Sequence, residues 1–400
     1  SPFSSLAYRD YRYLWVGILS TSAGQWIEQV TLSWLVYDLT GSALLVGLLN
    51  GLRAIPFLVF GPFGGVAADR FNTKKLLIGC QALLMGLSAV LGFLIVSDLV
   101  QIWHLFAFTF FAGTAWSFSQ PVRQAIVPSL VPGKALTNAL ALSSTAFNIS
   151  RIIGPTIGGV LIVFIGAGGN FFVEALAYLF VIYTTSRINI PPGPGKSRGT
   201  SITSNLVEGL RYVRHHELVL PIMVMALIPQ VFAQQYATLL PIFAKDVFAM
   251  GPEGFGLLAS APGVGALIGT LALASLGNYR RKGILMLGLG LTLGASFIAL
   301  GFSNWLPLSL FLLAGLGGSI STYNTTNNTI LQMIVPDALR GRVMSIYMLD
   351  RGLAPLGSLT AGAIAGFAGA PVASQFLGVC IFLMAFLALI KLPRIRKLEL

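Results

Sequence analysis

Twelve long apolar runs dominate this sequence of 400 residues. Each has about the 20 residues that a helix needs to cross a bilayer. Only 10% of the residues are charged, whereas a soluble domain usually has about 25%. The pattern therefore predicts an all-α membrane protein with twelve transmembrane helices. We place the spans at residues 13–37, 43–67, 76–97, 101–120, 138–165, 170–190, 218–244, 254–276, 284–302, 305–326, 343–367 and 371–392.

The basic residues orient these spans. If the chain begins on the inside, all but four of the 25 Lys and Arg residues lie in the inner segments. The exceptions are Lys245, in an outer loop, and Arg53, Arg151 and Arg351, inside spans. Because cytoplasmic loops carry an excess of Lys and Arg, we expect both termini to be cytoplasmic. The net charge of +12 thus reflects membrane orientation, and we expect no binding of nucleic acid.

The two halves of the sequence repeat each other. Arg151-Ile-Ile-Gly-Pro155 in the fifth span matches Arg351-Gly-Leu-Ala-Pro355 in the eleventh. A break rich in proline and glycine follows residue 190, and the pattern over 204–214 predicts an amphipathic helix on the inner surface. We therefore expect two pseudo-symmetric six-helix bundles, 1–190 and 218–400, joined by a cytoplasmic linker at 191–217. Transporters use such repeats to expose a midplane site to each side in turn.

Three charged residues lie deep in the spans of the first half. Counting residues along each helix places Glu28, Arg53 and Arg151 at one level. Buried charges are costly, so they usually serve a function or pair with one another. One interpretation makes Glu28 a proton carrier, because movement relative to an Arg changes how tightly a carboxylate holds a proton. The alternative is a fixed Glu–Arg pair that holds the bundle together.

Other acidic positions receive different interpretations. Glu174 lies near the outer start of the sixth span, where we expect it to contact water. Asp350 and Arg351 lie nearer the inner end of the eleventh span, and neighbouring residues point about 100° apart on a helix. They are therefore expected to form a structural clasp with the loop after the fourth span (Arg123, Asn138) or with the partner repeat.

Polar and aromatic side chains at mid-span depth outline a candidate substrate cavity. Polar groups facing lipid would lack hydrogen-bond partners, so we expect them to face the interior. The alternative for each aromatic side chain is packing or contact with lipid. A cavity with many aromatic and few charged residues suits amphipathic or hydrophobic solutes. The candidate lining residues are Gln25, Trp26, Gln29, Trp116, Gln230, Gln234, Tyr236, Tyr323 and Asn324.

The connection between the second and third spans carries a recognisable motif. Gly65-Val-Ala-Ala-Asp69-Arg70-Phe-Asn72-Thr-Lys74-Lys75 resembles the signature loop of the major facilitator superfamily. Gly65 permits close helix packing, and the basic residues are expected at the cytoplasmic surface. Family members usually have glycine where Asn72 stands. We expect Asn72 to adopt the left-handed turn conformation, which asparagine tolerates.

Further motifs narrow the resemblance. Gly154-Pro155-Thr-Ile-Gly158-Gly159 resembles the antiporter motif of the fifth helix, although small residues also simply let helices pack closely. Four segments together, Tyr37–Ser42, Pro121–Val131, Asn148–Gly159 and Glu208–Tyr212, make nearly the whole chain similar to a subgroup of bacterial macrolide-type drug exporters and the enterobactin exporter. The resemblance implies proton-driven efflux of small organic molecules. It also implies a mid-membrane Arg in the fourth helix, whereas Arg123 is expected at that helix's inner end.

The sequence disfavours catalysis. It contains no nucleophile–base constellation and no metal-ligand cluster, so we expect neither an enzyme nor a cofactor or metal site. We expect a monomeric, proton-coupled efflux transporter in a bacterial inner membrane. The alternatives are a specialised exporter of one metabolite, such as a siderophore or lipid-like molecule, a facilitator or importer, and a membrane sensor that does not transport.

Overall fold

The computed structural model describes residues 3–70, 72–189, 202–277, 279–396 and 398. For residues 62–70, 202–207, 337–338, 345, 348–349 and 351, only the backbone is described. The described residues are almost entirely helical, with no β-strand among them. The prediction of an all-α protein is confirmed.

The first half of the chain contains five long helices. They are α1 (Arg9–Thr40), α2 (Ala43–Arg70), α3 (Thr73–Val96), α4 (Ile102–Leu130) and α5 (Gly133–Ser186), and a 3₁₀ turn at Ser4–Ala7 precedes them. Gly166 interrupts α5 with a φ of +72°, which glycine adopts without steric cost. This residue divides α5 into two arms, 133–165 and 167–186, that correspond to the predicted fifth and sixth spans.

The second half follows the same plan. Its helices are α6 (Ile202–His215), α7 (Val219–Val247), α8 (Pro252–Ser275), α9 (Lys282–Phe302), α10 (Leu306–Ile334), α11 (Asp337–Tyr347), α12 (Ala354–Lys391) and α13 (Pro393–Arg396). Gly369 divides α12 into two arms with a φ of +85°. The predicted amphipathic helix corresponds to α6, and linker residues 191–201 lie outside the described residues.

Eight of the described helices are long and apolar enough to cross a membrane. Two of the eight, α5 and α12, are each a pair of spans joined at a glycine. The helices α1 and α4, with 32 and 29 residues, also have the length of a span. The described helices are therefore consistent with twelve spans.

The predicted start of the eleventh span is wrong. That span begins at Ala354, because a 3₁₀ turn (Met348–Leu353) separates it from α11 and Pro355 occupies its first turn. Asp350 and Arg351 therefore lie in the turn before the span. The side chain of Arg351 is outside the described part.

The chain forms two units, and each includes a short segment from elsewhere in the sequence. The first contains Ser1–Gly41, Leu52–Lys196 and Met250–Ser260, and the second contains Ser42–Gly51, Ser197–Ala249 and Ala261–Leu400. In the first unit, a Cβ added to Gly256 would lie 3.2 Å from Gly159 Cα. In the second, a Cβ added to Gly51 would lie 3.2 Å from Pro355 Cα. Each unit thus brings a glycine close to its copy of the repeated motif.

An apolar core joins α1, α4 and the first arm of α5 within the first unit. Tyr11 is fully buried there, and its hydroxyl donates to the carbonyl of Ala139 at 2.6 Å. One turn later, the indole N–H of Trp15 donates to the carbonyl of Leu142 at 2.9 Å. These side chains bond carbonyl oxygens of the neighbouring helix, so they hold the two helices in register as well as burying apolar surface.

Candidate functional site

A buried ion pair joins α1 to α2 in the first unit. The guanidinium of Arg53 donates to Oε1 of Glu28. The side chain of Glu28 is 1% exposed, and that of Arg53 is 27% exposed. Arg151 lies apart from this pair, on the first arm of α5, with its guanidinium 5.9 Å from the ring centre of Trp26 on α1. The structure thus brings together two of the three predicted charges.

Glu174 is also buried, so the prediction that it contacts water is wrong. It is 2% exposed, and its carboxylate accepts hydrogen bonds from Ser88 at 3.1 Å and Tyr178 at 3.0 Å. The reason is the turn at Gly166, which starts the second arm of α5 at residue 167. Glu174 therefore lies about 10 Å along that arm, at 1.5 Å per residue, and not at its outer end.

The carboxyl groups of Glu28 and Glu174 face each other. They lie within electrostatic range, close enough to share a hydrogen bond when one of them carries a proton. Gly24, one turn before Glu28, also lies beside Glu174, since a Cβ there would be 3.6 Å from Cγ of Glu174, an ordinary van der Waals distance. Oε2 of Glu28 has no hydrogen-bond partner among the described residues. Carboxylates are acceptors only, so a hydrogen bond between the two carboxyl groups requires a proton. We call these residues the carboxyl pair.

The glycine motif of α5 packs against the turn of α1 that carries Glu28. A Cβ added to Gly158 would lie 3.1 Å from Ile27 Cα, and one added to Gly154 would lie 2.7 Å from Trp26 Cβ. Real Cβ atoms rarely approach so closely, so these glycines set the separation of the two helices. The glycine motif of α5 therefore fixes the position of the α1 backbone that carries Glu28.

Asn170 reinforces this contact, and the sequence interpretation did not identify it. It is 1% exposed, and its amide donates to Thr31 Oγ1 at 2.8 Å and to the carbonyl of Gly158 at 2.9 Å. A polar residue four positions after Gly166 was the available signal. Gly159, on another face of the motif, approaches Gly256 of α8, as described above.

Arg123 is buried within α4, contrary to the predicted position at the inner end of a span. The helix continues to Leu130 through Pro121 and Pro128, so Arg123 lies inside it and is only 8% exposed. Its guanidinium lies 6.0 Å from the ring centre of Trp116, which is itself 7% exposed. The clasp between this region and Asp350 stays a prediction.

The signature loop caps two helices. Lys74 donates to the carbonyl of Ser186 at 2.6 Å and to that of Ile188 at 2.9 Å, at the end of α5. Asn72 is the N-cap of α3, and its side chain accepts from the backbone N–H of Lys75 at 3.1 Å. The left-handed conformation predicted for Asn72 is wrong (φ −64°), because the residue begins a helix and asparagine is a preferred N-cap. For Gly65, Asp69 and Arg70, only the backbone is described.

The predicted cavity residues of the first unit differ in exposure. On α1, Gln25, Trp26 and Gln29 are partly exposed. The indole N–H groups of Trp26 and Trp116 are buried without a hydrogen-bond partner in the described part of the chain. Together these residues offer aromatic surface with a few unused donors.

In the second unit, Gln230 and Gln234 lie on an irregular stretch of α7. A π-helical turn (Ile228–Phe232) and a 3₁₀ turn (Ala233–Gln235) leave both partly exposed, as is Asn324, whereas Tyr236 is 7% exposed. Tyr323 was wrongly expected to line open space. It is fully buried, and its hydroxyl donates to the carbonyl of Met225 at 2.9 Å, so it joins α10 to α7.

Comparison with known proteins identifies the family. Residues 1–400 match the model of a family described as transmembrane secretion effector. The staphyloferrin A transporter of Staphylococcus aureus is 28% identical, over 84% of each chain. The multidrug efflux pump Tap of Mycolicibacterium fortuitum is 27% identical, over 96% of this chain and 95% of the relative. Macrolide efflux protein A of Streptococcus pyogenes is 24% identical, over 97% and 96%.

A solved structure with the same fold is a bacterial homologue of the human lysosomal transporter Spinster, in an inward-facing and unoccupied conformation. It has a TM-score of 0.76 and 16% identity, over 97% of this chain and 98% of that one. The nucleoside transporter NupG has a TM-score of 0.77. The resemblance found in the sequence motifs is confirmed. The chain belongs to the transmembrane secretion effector family of the major facilitator superfamily of membrane transporters.

Proposed function

We propose that this protein exports small amphipathic organic compounds in exchange for protons, by alternating access. The carboxyl pair carries the proposal. Two almost completely buried carboxyl groups meet one partly buried Arg inside a helical unit. A charge in such surroundings is costly, so ionisable groups within membrane spans usually mark ion or substrate pathways. We propose a bacterial inner membrane, a monomer and cytoplasmic termini.

The chemistry of the site suits reversible protonation. With one proton, the pair can form a hydrogen bond between Glu28 and Glu174 while Arg53 balances the remaining charge. Gaining or losing a proton changes the net charge that faces Arg53, and so changes the strength of the ion pair between α1 and α2. Because the glycine motif packs on the same turn of α1, a shift at Glu28 would be transmitted to α5. The rival role, a fixed lock, predicts that proton movement does not depend on Glu28.

Export of organic compounds is supported by the relatives, two of which are named as efflux proteins for several drugs or for macrolides. The partly exposed Gln25, Trp26 and Gln29 would offer such solutes aromatic and amide contacts. The staphyloferrin A transporter favours a second candidate, a specialised siderophore exporter.

The test uses purified protein in liposomes with a pH gradient and an internal pH-sensitive dye. A macrolide, staphyloferrin A and a lysolipid are added separately to wild type, Glu28→Gln and the control Glu253→Gln. Glu253 is exposed, and its carboxylate accepts from the backbone N–H of Gly251 at 3.2 Å. We expect substrate-evoked proton flux in wild type and in the control, and a loss of at least about tenfold in Glu28→Gln.

Each outcome has one interpretation. Flux with staphyloferrin A alone would assign the specialised exporter, and flux with several probes would assign broad specificity. Movement of substrate without proton flux, equal in wild type and Glu28→Gln, would refute proton coupling and leave Glu28 as a structural charge.

A further inference from the structure

A second buried polar site lies in the first unit, nearer the N-terminal end of α1 than the carboxyl pair. It is a cavity with room for about one water molecule, lined by Gly17, Gln81, Arg123 and Thr185 together with apolar side chains. Gln81 is 1% exposed, and both its amide nitrogen and its amide oxygen lack a hydrogen-bond partner among the residues described. An unpaired buried amide is unfavourable unless water supplies the missing bonds. We call this cavity the Gln81 chamber.

Two helices connect the Gln81 chamber to the carboxyl pair. On α3, Gln81 and Ser88 are seven residues apart, which is two turns along one face and about 10 Å. On the second arm of α5, Glu174 and Tyr178 are one turn apart, and Thr185 lies two turns beyond Tyr178 on the same face. Between the two sites, polar residues therefore lie along one face of α3 and one face of α5 at intervals of one or two turns.

Tyr178 is the link in this line. It is 1% exposed, and its hydroxyl donates to Oε1 of Glu174 at 3.0 Å. It also lies within electrostatic range of Arg123 in the wall of the chamber. Val181, about one turn after Tyr178, lines the chamber. A hydroxyl donates and accepts at once, so Tyr178 can accept a hydrogen bond from water that reaches it from the chamber while it donates to Glu174.

We propose that the Gln81 chamber binds water and that protons reach the carboxyl pair through this water and the hydroxyl of Tyr178. The proposal rests on the proposed function, in which the pair carries a proton. In the transfer, a protonated water gives its proton to the oxygen of Tyr178, and Tyr178 gives its own proton to Glu174. The water and the tyrosine end neutral, and Glu174 has gained one proton. The reverse sequence releases it.

The charged groups at the two ends give the path its direction. Glu28 of α1 faces Glu174 and is paired with Arg53 of α2, whereas Arg123 of α4 lies at the chamber, within electrostatic range of Cys80 of α3. The positive Arg123 repels an excess proton in the chamber, and the carboxyl pair attracts it. The proton therefore rests on the pair, and the chamber only conducts it.

The test combines two conservative variants with matched controls. Tyr178→Phe removes only the relay hydroxyl, and Gln81→Leu keeps the side chain's approximate volume but removes the groups that bind water. The controls are Tyr183→Phe, on the same arm and 51% exposed, and Gln332→Leu, exposed on α10. Proton flux in liposomes is measured together with substrate affinity. Infrared spectroscopy follows hydrogen–deuterium exchange of the buried carboxylic acid, which needs no substrate.

We expect both variants to slow proton flux and carboxyl exchange by at least about tenfold, as expected for loss of a proton-transfer group. Substrate affinity and both controls should stay at wild-type values. If flux depends on Glu28 while Tyr178→Phe and Gln81→Leu keep wild-type rates, the path is refuted and the proposed function stands. If the wild type moves no protons, the proposed function fails, and the exchange measurement decides the path alone. Should one variant not fold, the other decides.

Discussion

Replacing Arg53 by Met removes one partner of the ion pair and leaves Glu28 buried. Removing one partner of a buried pair usually costs about 3–5 kcal/mol. Two features of the site bring the value to the lower end of this range. The Arg53 side chain is 27% exposed, so water already provides part of the solvation. The carboxyl of Glu28 can also escape the penalty by taking up a proton.

The free energy of protonating Glu28 sets an upper limit to the stability that Arg53→Met can lose. Protonating a glutamate side chain in water at pH 7, where the reference pKa is about 4.3, costs about 3.7 kcal/mol, at 1.36 kcal/mol per pH unit. We therefore expect Arg53→Met to lower the free energy of unfolding by about 3 kcal/mol at pH 7. The loss should shrink as the pH falls, because the upper limit decreases by about 1.4 kcal/mol for each unit.

The assay is reversible unfolding in mixed micelles at pH 7 and pH 6, with Arg53→Met, Glu28→Gln and the double variant. A double-mutant cycle isolates the pair, and we expect a coupling free energy of about 2–3 kcal/mol. The matched control is Arg394→Met, which breaks the pair of Arg394 with Glu217, whose side chains are 64% and 71% exposed. Such a surface pair contributes about 0–1 kcal/mol.

Two results would refute this reasoning. One is a loss for Arg53→Met no larger than that for Arg394→Met. The other is a loss that stays constant between pH 7 and pH 6, since a buried carboxylate without a partner must respond to protonation. Either would mean that water reaches Glu28 freely.

Two further predictions concern helix packing. Gly158→Val should abolish substrate-evoked proton flux with a smaller effect on expression, because its Cβ would meet Ile27 Cα at 3.1 Å and force α1 from α5. The control Gly86→Val has no atom within 4 Å of its added Cβ and should keep wild-type flux. Tyr11→Phe should lower the free energy of unfolding by about 1 kcal/mol, measured in mixed micelles, since it loses the 2.6 Å hydrogen bond to Ala139. Stability equal to that of wild type would show that this bond contributes nothing net.

Several features of the fold could be predicted from local pattern. The apolar runs predicted the spans, since a helix that crosses lipid must be about 20 residues long and must satisfy its own backbone hydrogen bonds. The repeated motifs around Pro155 and Pro355 indicated two related halves, and each motif meets a glycine in its own unit. Depth predicted that Glu28, Arg53 and Arg151 share one level, and the folded unit pairs Glu28 with Arg53.

The errors share a physical origin. Glu174 was predicted to contact water because the predicted sixth span starts at residue 170. The arm of α5 that carries Glu174 starts at residue 167, after the left-handed Gly166. Arg123 was assigned to a helix end because α4 continues through two prolines. In each case the residue type was noticed, but its depth depended on where a neighbouring helix began or ended.

The sequence by itself determined the length, number and polarity of the helices, because these depend on composition over about 20 residues and on backbone hydrogen bonding within one segment. Only the tertiary structure decided which side chains meet. Glu28 and Glu174 come from different helices, and their proximity depends on the rotation of each helix about its axis and on where the second arm of α5 begins. Hydrophobic periodicity along one helix contains no information about its partner's rotation, so the carboxyl pair and the Gln81 chamber became visible only in the folded unit.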